Sequence, residues 1–179
     1  MSSVSVVIPV KDGERYLEEL LEALSREGPD EILVIDSGSS DRSPAIAAAA
    51  GVQLLAIDPA EFGHGRTRNL GAERTSGELI CFLTQDATPC PGWLAAFTEA
   101  FTLDERVGAA YGPHLPRPDT SPMIARELTE FFAGFDAPGP GGNPAERDGA
   151  DGNGTAGNGT AVLALGVPVL QREGDSTFL

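Results

Sequence analysis

Lysine is almost missing from this chain. Lys11 is the only lysine among 12 basic residues, and 27 Asp and Glu leave a net charge of −15 over 179 residues. So acidic a chain argues against nucleic-acid binding, which needs a cationic face, and against charge-driven adhesion to anionic lipid. Cysteine is scarce too, with only Cys81 and Cys90. Two thiols make no disulfide framework, and their spacing does not suit a compact zinc site. Cys81 lies in the apolar run 79–83 and reads as a buried small hydrophobe. No stretch approaches the roughly 20 apolar residues of a spanning helix, so no transmembrane segment is expected. The start MSSVSVVIPV lacks a basic n-region, and Lys11 and Asp12 break its apolar run. No signal peptide is expected, and the default compartment is the cytoplasm. There is no GxxxxGK[ST], no GxGxxG after the first strand and no GxSxG elbow. A P-loop kinase and a dinucleotide dehydrogenase are therefore disfavoured. Two Asn-Gly-Thr sequons, at Asn153 and Asn158, fall in a Gly-rich repeat and read as accidents of composition.

What the chain does have is a core. Hydrophobic residues make up 41% of it, enough to pack a domain of this length. The β-branched run 4–10 predicts a strand. Leu17, Leu20, Leu21 and Leu24 recur at helical spacing opposite Glu18, Glu19 and Glu22, an amphipathic helix that Asp12 could cap and Gly28-Pro29 stops. EILVI at 31–35 is a second strand, continuous and apolar as a strand buried on both faces must be. A Ser- and Asp-rich loop leads from it to a short helix through 46–50, with Asp41 as its expected cap. Strands are expected at 52–57, 79–83 and 107–111, and helices at 65–75, 93–101 and 123–132. Strands alternating with helices mean an α/β domain with a mainly parallel sheet and helices on both faces. Residues 134–160 break the pattern: nine of 27 are Gly, and GNGTA occurs twice in tandem. That composition predicts a flexible loop, and an apolar run follows at 161–170.

Ligands on such sheets bind beyond the carboxyl ends of the strands. This rule selects three segments, 9–13, 36–41 and 84–89. Asp36, just past the second strand, can accept the N3–H of a uracil or thymine ring. Asp86, past the 79–83 strand, can hold Mg²⁺ or Mn²⁺ against a diphosphate, because hard cations take oxygen ligands. One carboxylate is a weak metal signal alone, yet Mg²⁺ is often held by one or two carboxylates with water and phosphate. Phe62-Gly63-His64-Gly65-Arg66-Thr67-Arg68-Asn69 concentrates basic groups, and Arg66, Arg68 and the helix-start amides could receive phosphate. The alternative is a solvated helix face after a Gly turn.

Three blocks, VSVVIPVKDG, DEILVIDSGSSD and GHGRTRNLGAERTSGELICFLTQDATPCPGWL, resemble family 2 glycosyltransferases of the GT-A fold. The HG-x-TRN and FLTQDA-x-P patterns are most similar to the bacterial rhamnosyltransferase-like branch. The resemblance spans about residues 4 to 133. It implies a Rossmann-like three-layer α/β/α core, a nucleotide-diphospho-sugar donor (dTDP- or UDP-linked), a divalent metal, and inversion at the anomeric carbon. It implies that Pro9, Val10 and Asp12 border the nucleotide and that Asp36 reads the base. It implies that Asp86 contacts metal and diphosphate as the last acid of a DxD, and that Arg68 and Asn69 are the family's RN pair at the donor site. The acceptor would be a glycan or a lipid-linked sugar, which leaves room for a peripheral position at the inner face of the cell membrane.

The chain departs from the family pattern twice. The triplet is Thr84-Gln85-Asp86, so the first acid of DxD is missing. Phe178-Leu179 resembles the opening of the acceptor half, which in the family supplies the general base. No residue here matches that base, and neither Glu173 nor Asp175 is assigned the role. The expected organisation is a nucleotide-sugar-binding core over 1–133, a Gly-rich loop over 134–160, and the start of a truncated acceptor-side region over 161–179. The leading expectation is an inverting sugar transferase. Its alternatives are a non-catalytic nucleotide-sugar-binding fragment and a nucleotidyltransferase. The last fits poorly, because Val10-Lys11-Asp12-Gly13 is no Gly- and Lys- or Arg-rich loop.

Overall fold

The computed structural model describes residues 2–103, 107–133, 161–164 and 169–171. The expected loop 134–160, with both sequons, and the residues Glu173, Asp175, Phe178 and Leu179 lie outside the described residues.

The first half alternates as its hydrophobic pattern requires. The order is β1 (Val4–Val10), α1 (Glu14–Glu27), β2 (Glu31–Asp36), α2 (Ser43–Ala49), β3 (Gln53–Ala56), a 3₁₀ turn (Pro59–Glu61), α3 (His64–Arg74) and β4 (Leu79–Phe82). The four strands form one parallel sheet in the order β3-β2-β1-β4. The sheet is covered on both faces, giving a three-layer α/β/α architecture. Along β1 the side chains alternate. Val4, Val6, Ile8 and Val10 join Leu17, Leu20, Leu21 and Leu24 of α1, Ala47 of α2 and Trp93 in one core. Val7 faces the other way, with Leu33 and Ile35. Each fully buried Val, Leu or Ile contributes on the order of 1.5–3 kcal/mol.

α3 covers that second face, and Gly71 explains how it sits so close. A Cβ at Gly71 would collide with Cγ1 of Val7 and come within 3.2 Å of Cδ1 of Ile35. The glycine that weakens the helical pattern in the sequence is what lets the helix lie on the sheet.

A glycine ends α1, and acids satisfy the amides at the helix starts. Gly28 ends α1 in the left-handed conformation (φ 70°), its N–H bonding to the Leu24 carbonyl at 3.0 Å. The Asp12 cap does not form. Gly13 occupies the N-cap of α1 with no side-chain cap bond, and Asp12 turns its carboxylate to Ser40 instead. Arg42, not the expected Asp41, is the N-cap of α2 and makes no side-chain cap bond, while Asp41 serves both helix starts from outside: its Oδ2 accepts from the Glu14 amide and its Oδ1 from the Ser43 amide, at 2.8 and 2.9 Å. α4 (Trp93–Leu103) is capped from α1, where Glu27 accepts from the amides of Gly92 and Leu94.

Two smaller sheets complete the described fold. β5 (Thr88–Pro89), β7 (His114–Pro116) and β9 (Val169–Gln171) form one, in the order β5-β9-β7. β6 (Val107–Tyr111) pairs in parallel with β8 (Ala161–Ala164). Both strands beyond residue 160 thus pair with strands that precede residue 117. α5 (Pro122–Ala133) packs on β7.

Candidate functional site

The candidate site residues of the strand-end loops lie at the carboxyl ends of β1, β2 and β4. All three strands are parallel neighbours, so their following loops emerge on one edge of the sheet. Hydrogen bonds then stitch the loops together. Val10, the last residue of β1, accepts from both the amide and the hydroxyl of Ser37 at 3.0 Å. The Asp12 amide donates to Ser39 Oγ at 2.9 Å, and Asp12 Oδ1 accepts from the Ser40 amide at 2.7 Å. Asp12 pays a conformational cost at φ 48°, a region that Asp tolerates better than most residues. The Ser40 amide is the main reason its carboxyl titrates below its ordinary range, with Lys11 assisting. Lys11 Nζ reaches the Gly38 carbonyl.

The β4 loop joins through Gln85. Its Oε1 accepts from the Lys11 amide at 2.7 Å, and its Nε2 donates to the Lys11 carbonyl at 3.0 Å. Pro9, Val10, Asp12, Asp36 and Asp86 are therefore brought to one set of connected loops.

Asp36 ends β2 and is only 5% exposed. Its Oδ2 accepts from the amides of Gly38 and Ser39 at 3.1 Å, which fixes the carboxylate plane. Among the described residues Oδ1 has a single long contact, 3.4 Å to Ser39 N, so it keeps capacity for one more donor. Gly38 is required at this turn: it stands at φ 78°, and a Cβ there would meet Pro59 Cγ at 2.6 Å.

Asp86 is 7% exposed, and its Oδ1 accepts from Thr84 Oγ1 at 2.9 Å. Among the described residues its Oδ2 accepts no hydrogen bond. Thr84 fills the place of the missing first acid with a neutral donor aimed at the last one. No group of three or more His, Cys, Asp or Glu that could hold a metal occurs among the described residues. The donor set still fits Mg²⁺ or Mn²⁺ bound through one carboxylate oxygen, with diphosphate oxygens and water completing the shell.

The α3 residues are placed differently. Arg68 is buried and its Nη1 donates to the His64 carbonyl at 2.9 Å. Arg66 folds back on the 3₁₀ turn and donates to the Glu61 and Ala60 carbonyls. Asn69 faces a groove of about 560 Å³ shared with Leu55, Ile57, Arg66 and Glu73. None of Pro9, Val10, Asp12, Asp36 and Asp86 lines that groove.

Two residues near Asp86 escape sequence reasoning. Arg117 Nε donates to the Asp86 carbonyl at 3.1 Å. Among the described residues His114 Nδ1 is buried with no hydrogen-bond partner, and burial holds its imidazole below the ordinary value while Asp86 pulls the other way. The only local signal for Arg117 is its place between Pro116 and Pro118, which says the backbone is stiff but not what the guanidinium touches.

Glycosyl transferase family 2 matches residues 5–145. The chain belongs to this family. It is 31% identical over 124 residues to an O-antigen chain rhamnosyltransferase of Salmonella typhimurium, covering 67% of this chain and 40% of that protein. A second O-antigen chain rhamnosyltransferase, from Salmonella anatum, is 31% identical over 128 residues, covering 69% of this chain and 40% of that one. The chain thus spans about two-fifths of the length of these relatives. Among solved structures, glucosyl-3-phosphoglycerate synthase from Mycobacterium tuberculosis with UDP superposes at a TM-score of 0.57 and 24% identity. That match covers 65% of this chain and 46% of the synthase. The same enzyme with Mn²⁺, UDP-glucose and phosphoglyceric acid gives 0.56 and 21%, over 74% of this chain and 50% of that one. Staphylococcus aureus TarS gives 0.55 and 20%, over 66% and 37%.

Proposed function

We propose that this chain carries the donor site of an inverting sugar transferase that takes a nucleotide-diphospho-sugar and a glycan or lipid-linked acceptor. The observation behind this is the joining of the three strand-end loops by Gln85 and Asp12, which sets Asp36 and Asp86 on one edge of the sheet. Asp36 Oδ1 would accept the N3–H of uracil or thymine, its plane fixed by the Gly38 and Ser39 amides. Asp86 would face the diphosphate and hold the cation through Oδ2. When bound, Mg²⁺ or Mn²⁺ would offset the charge that develops on the departing diphosphate. Arg68, buried against the His64 carbonyl, would act on the donor only by holding the start of α3, and Asn69 is given no donor contact because it faces a groove that none of Pro9, Val10, Asp12, Asp36 and Asp86 lines. The names of the two Salmonella relatives support rhamnose as the sugar, and the UDP and Mn²⁺ of the synthase structures support the donor class. A cytoplasmic position, peripheral to the membrane when the acceptor is lipid-linked, accords with this chemistry. Among the described residues no helix is long and apolar enough to cross a membrane.

Calorimetry with dTDP- and UDP-sugars in Mn²⁺ tests the reading. Binding should weaken about ten-fold or more in Asp36→Ala, the scale of a lost hydrogen bond to a charged group. Absence of binding, or equal binding by the variant, would overturn it. Sustained sugar transfer by this chain would separate an enzyme from a binding module.

A further inference from the structure

Arg117 is 7% exposed and every edge of its guanidinium is engaged. Nε donates to the Asp86 carbonyl at 3.1 Å. Nη1 and Nη2 donate to the Glu19 carboxylate of α1 at 3.1–3.2 Å. Nη2 also donates to Thr88 Oγ1 of β5. The guanidinium carbon lies 4.6 Å from the centre of the Tyr16 ring. One cation thus joins α1, β5 and the peptide of Asp86, at sequence separations of 98, 29 and 31 residues.

We propose that Arg117 is a positioning residue for Asp86. This rests on the reading of Asp86 as the group that faces metal and diphosphate. Two constraints act on Asp86. Arg117 holds its main chain, and Thr84 holds Oδ1 of its side chain at 2.9 Å. Together they leave Oδ2 as the carboxylate oxygen without a bond among the described residues, in one orientation. The arrangement needs a planar fork of donors. An ammonium is a point charge and cannot reach the Asp86 carbonyl, Glu19 and Thr88 at once. Residues that orient a ligand characteristically shift metal affinity rather than abolish the fold.

The test is calorimetric titration of UDP and dTDP, with and without Mn²⁺, alongside thermal denaturation. The wild-type chain should bind more tightly with Mn²⁺. Arg117→Lys should leave metal-free affinity unchanged and reduce the Mn²⁺-dependent gain about ten-fold. Glu19→Gln, which keeps the Asp86 contact, should lower thermal stability and retain the gain. A folded Arg117→Lys that keeps the full gain, or loses affinity equally with and without Mn²⁺, overturns the proposal. Should Arg117→Lys not fold, Thr88→Val removes one anchor of the fork. A smaller loss confined to the Mn²⁺ arm then supports positioning, and an unchanged gain overturns it. A wild-type chain that binds nucleotide with no Mn²⁺-dependent gain overturns the reading of Asp86 itself, and the proposal with it.

Discussion

Gln85 grips the backbone of Lys11 as a neighbouring strand would, accepting from its N–H and donating to its C=O. The two residues are 74 positions apart, and this pair is what fastens the β4 loop to the β1 loop. A side chain does here what the sheet no longer does once the strands have ended.

Removing that grip should loosen the site more than the fold. Gln85→Ala loses two exposed hydrogen bonds, each contributing about 0.5–1.5 kcal/mol. The expected result in urea denaturation is a small fall in midpoint at constant slope. Nucleotide affinity should drop in the same variant. Gln85→Glu keeps the acceptor and loses the donor, so it should fall between the two.

Thr84→Asp should tighten Mn²⁺ binding. It puts a second carboxylate where a hydroxyl now bonds to Asp86, and cation affinity rises with ligand charge. Mn²⁺ titration followed by electron paramagnetic resonance, without nucleotide, would read the change. Equal affinity in the variant and the wild type would show that residue 84 does not face the cation.

Gly71→Ala should destabilise despite the better helix propensity of alanine. The added methyl meets Val7 and Ile35, and overpacking of this kind costs about 1–3 kcal/mol. A thermal melt that rises instead would mean α3 can lift from the sheet at no cost.

The Glu19–Arg117 pair should make the fold acid-sensitive in a defined window. The Arg117 hydrogen bond holds the Glu19 carboxyl below its ordinary 4.5, so its folded value is the lower one. Such a group stabilises above the unfolded value and loses that contribution as pH falls through the folded value. Denaturation midpoints measured from pH 6 down to 3 should decline below about 4.5, and less steeply in Glu19→Gln.

The alternation of strands and helices was legible because periodicity reports burial directly. EILVI could only be a strand buried on both faces, and the leucines of α1 could only face a core. The edge expected to carry the candidate site rested on strand direction alone, and in the structure hydrogen bonds join the three loops there. What periodicity does not carry is contact between loops. Gln85 read as one letter of a triplet, and nothing local ties it to Lys11. Arg117 read as a charge between two prolines, although its partner Glu19 lies 98 residues away. Asp12 satisfied the composition rule for a cap, but the pull of the Ser40 amide took its carboxylate elsewhere. The acids also have more work than surface solubility. Asp30, Glu31, Glu27 and Asp41 all accept main-chain N–H groups from distant segments, among them Val4, Ser76, Gly92 and Glu14.

Asp41 has a further consequence, for the order of events in folding. The amide it caps in α1 lies 27 residues earlier in the chain, so α1 alone cannot have that cap. The bond can close only after β1 and β2 lie side by side and bring Glu14 up to the loop. An isolated α1 would begin with frayed, water-bonded amides. The start of α1 is completed in the step that also assembles the loops holding Asp12 and Asp36, whereas the Asp41–Ser43 bond at the start of α2 spans only two residues and needs no strand pairing. Fraying of either helix at its start would then be felt in both, and at the edge of the sheet between them.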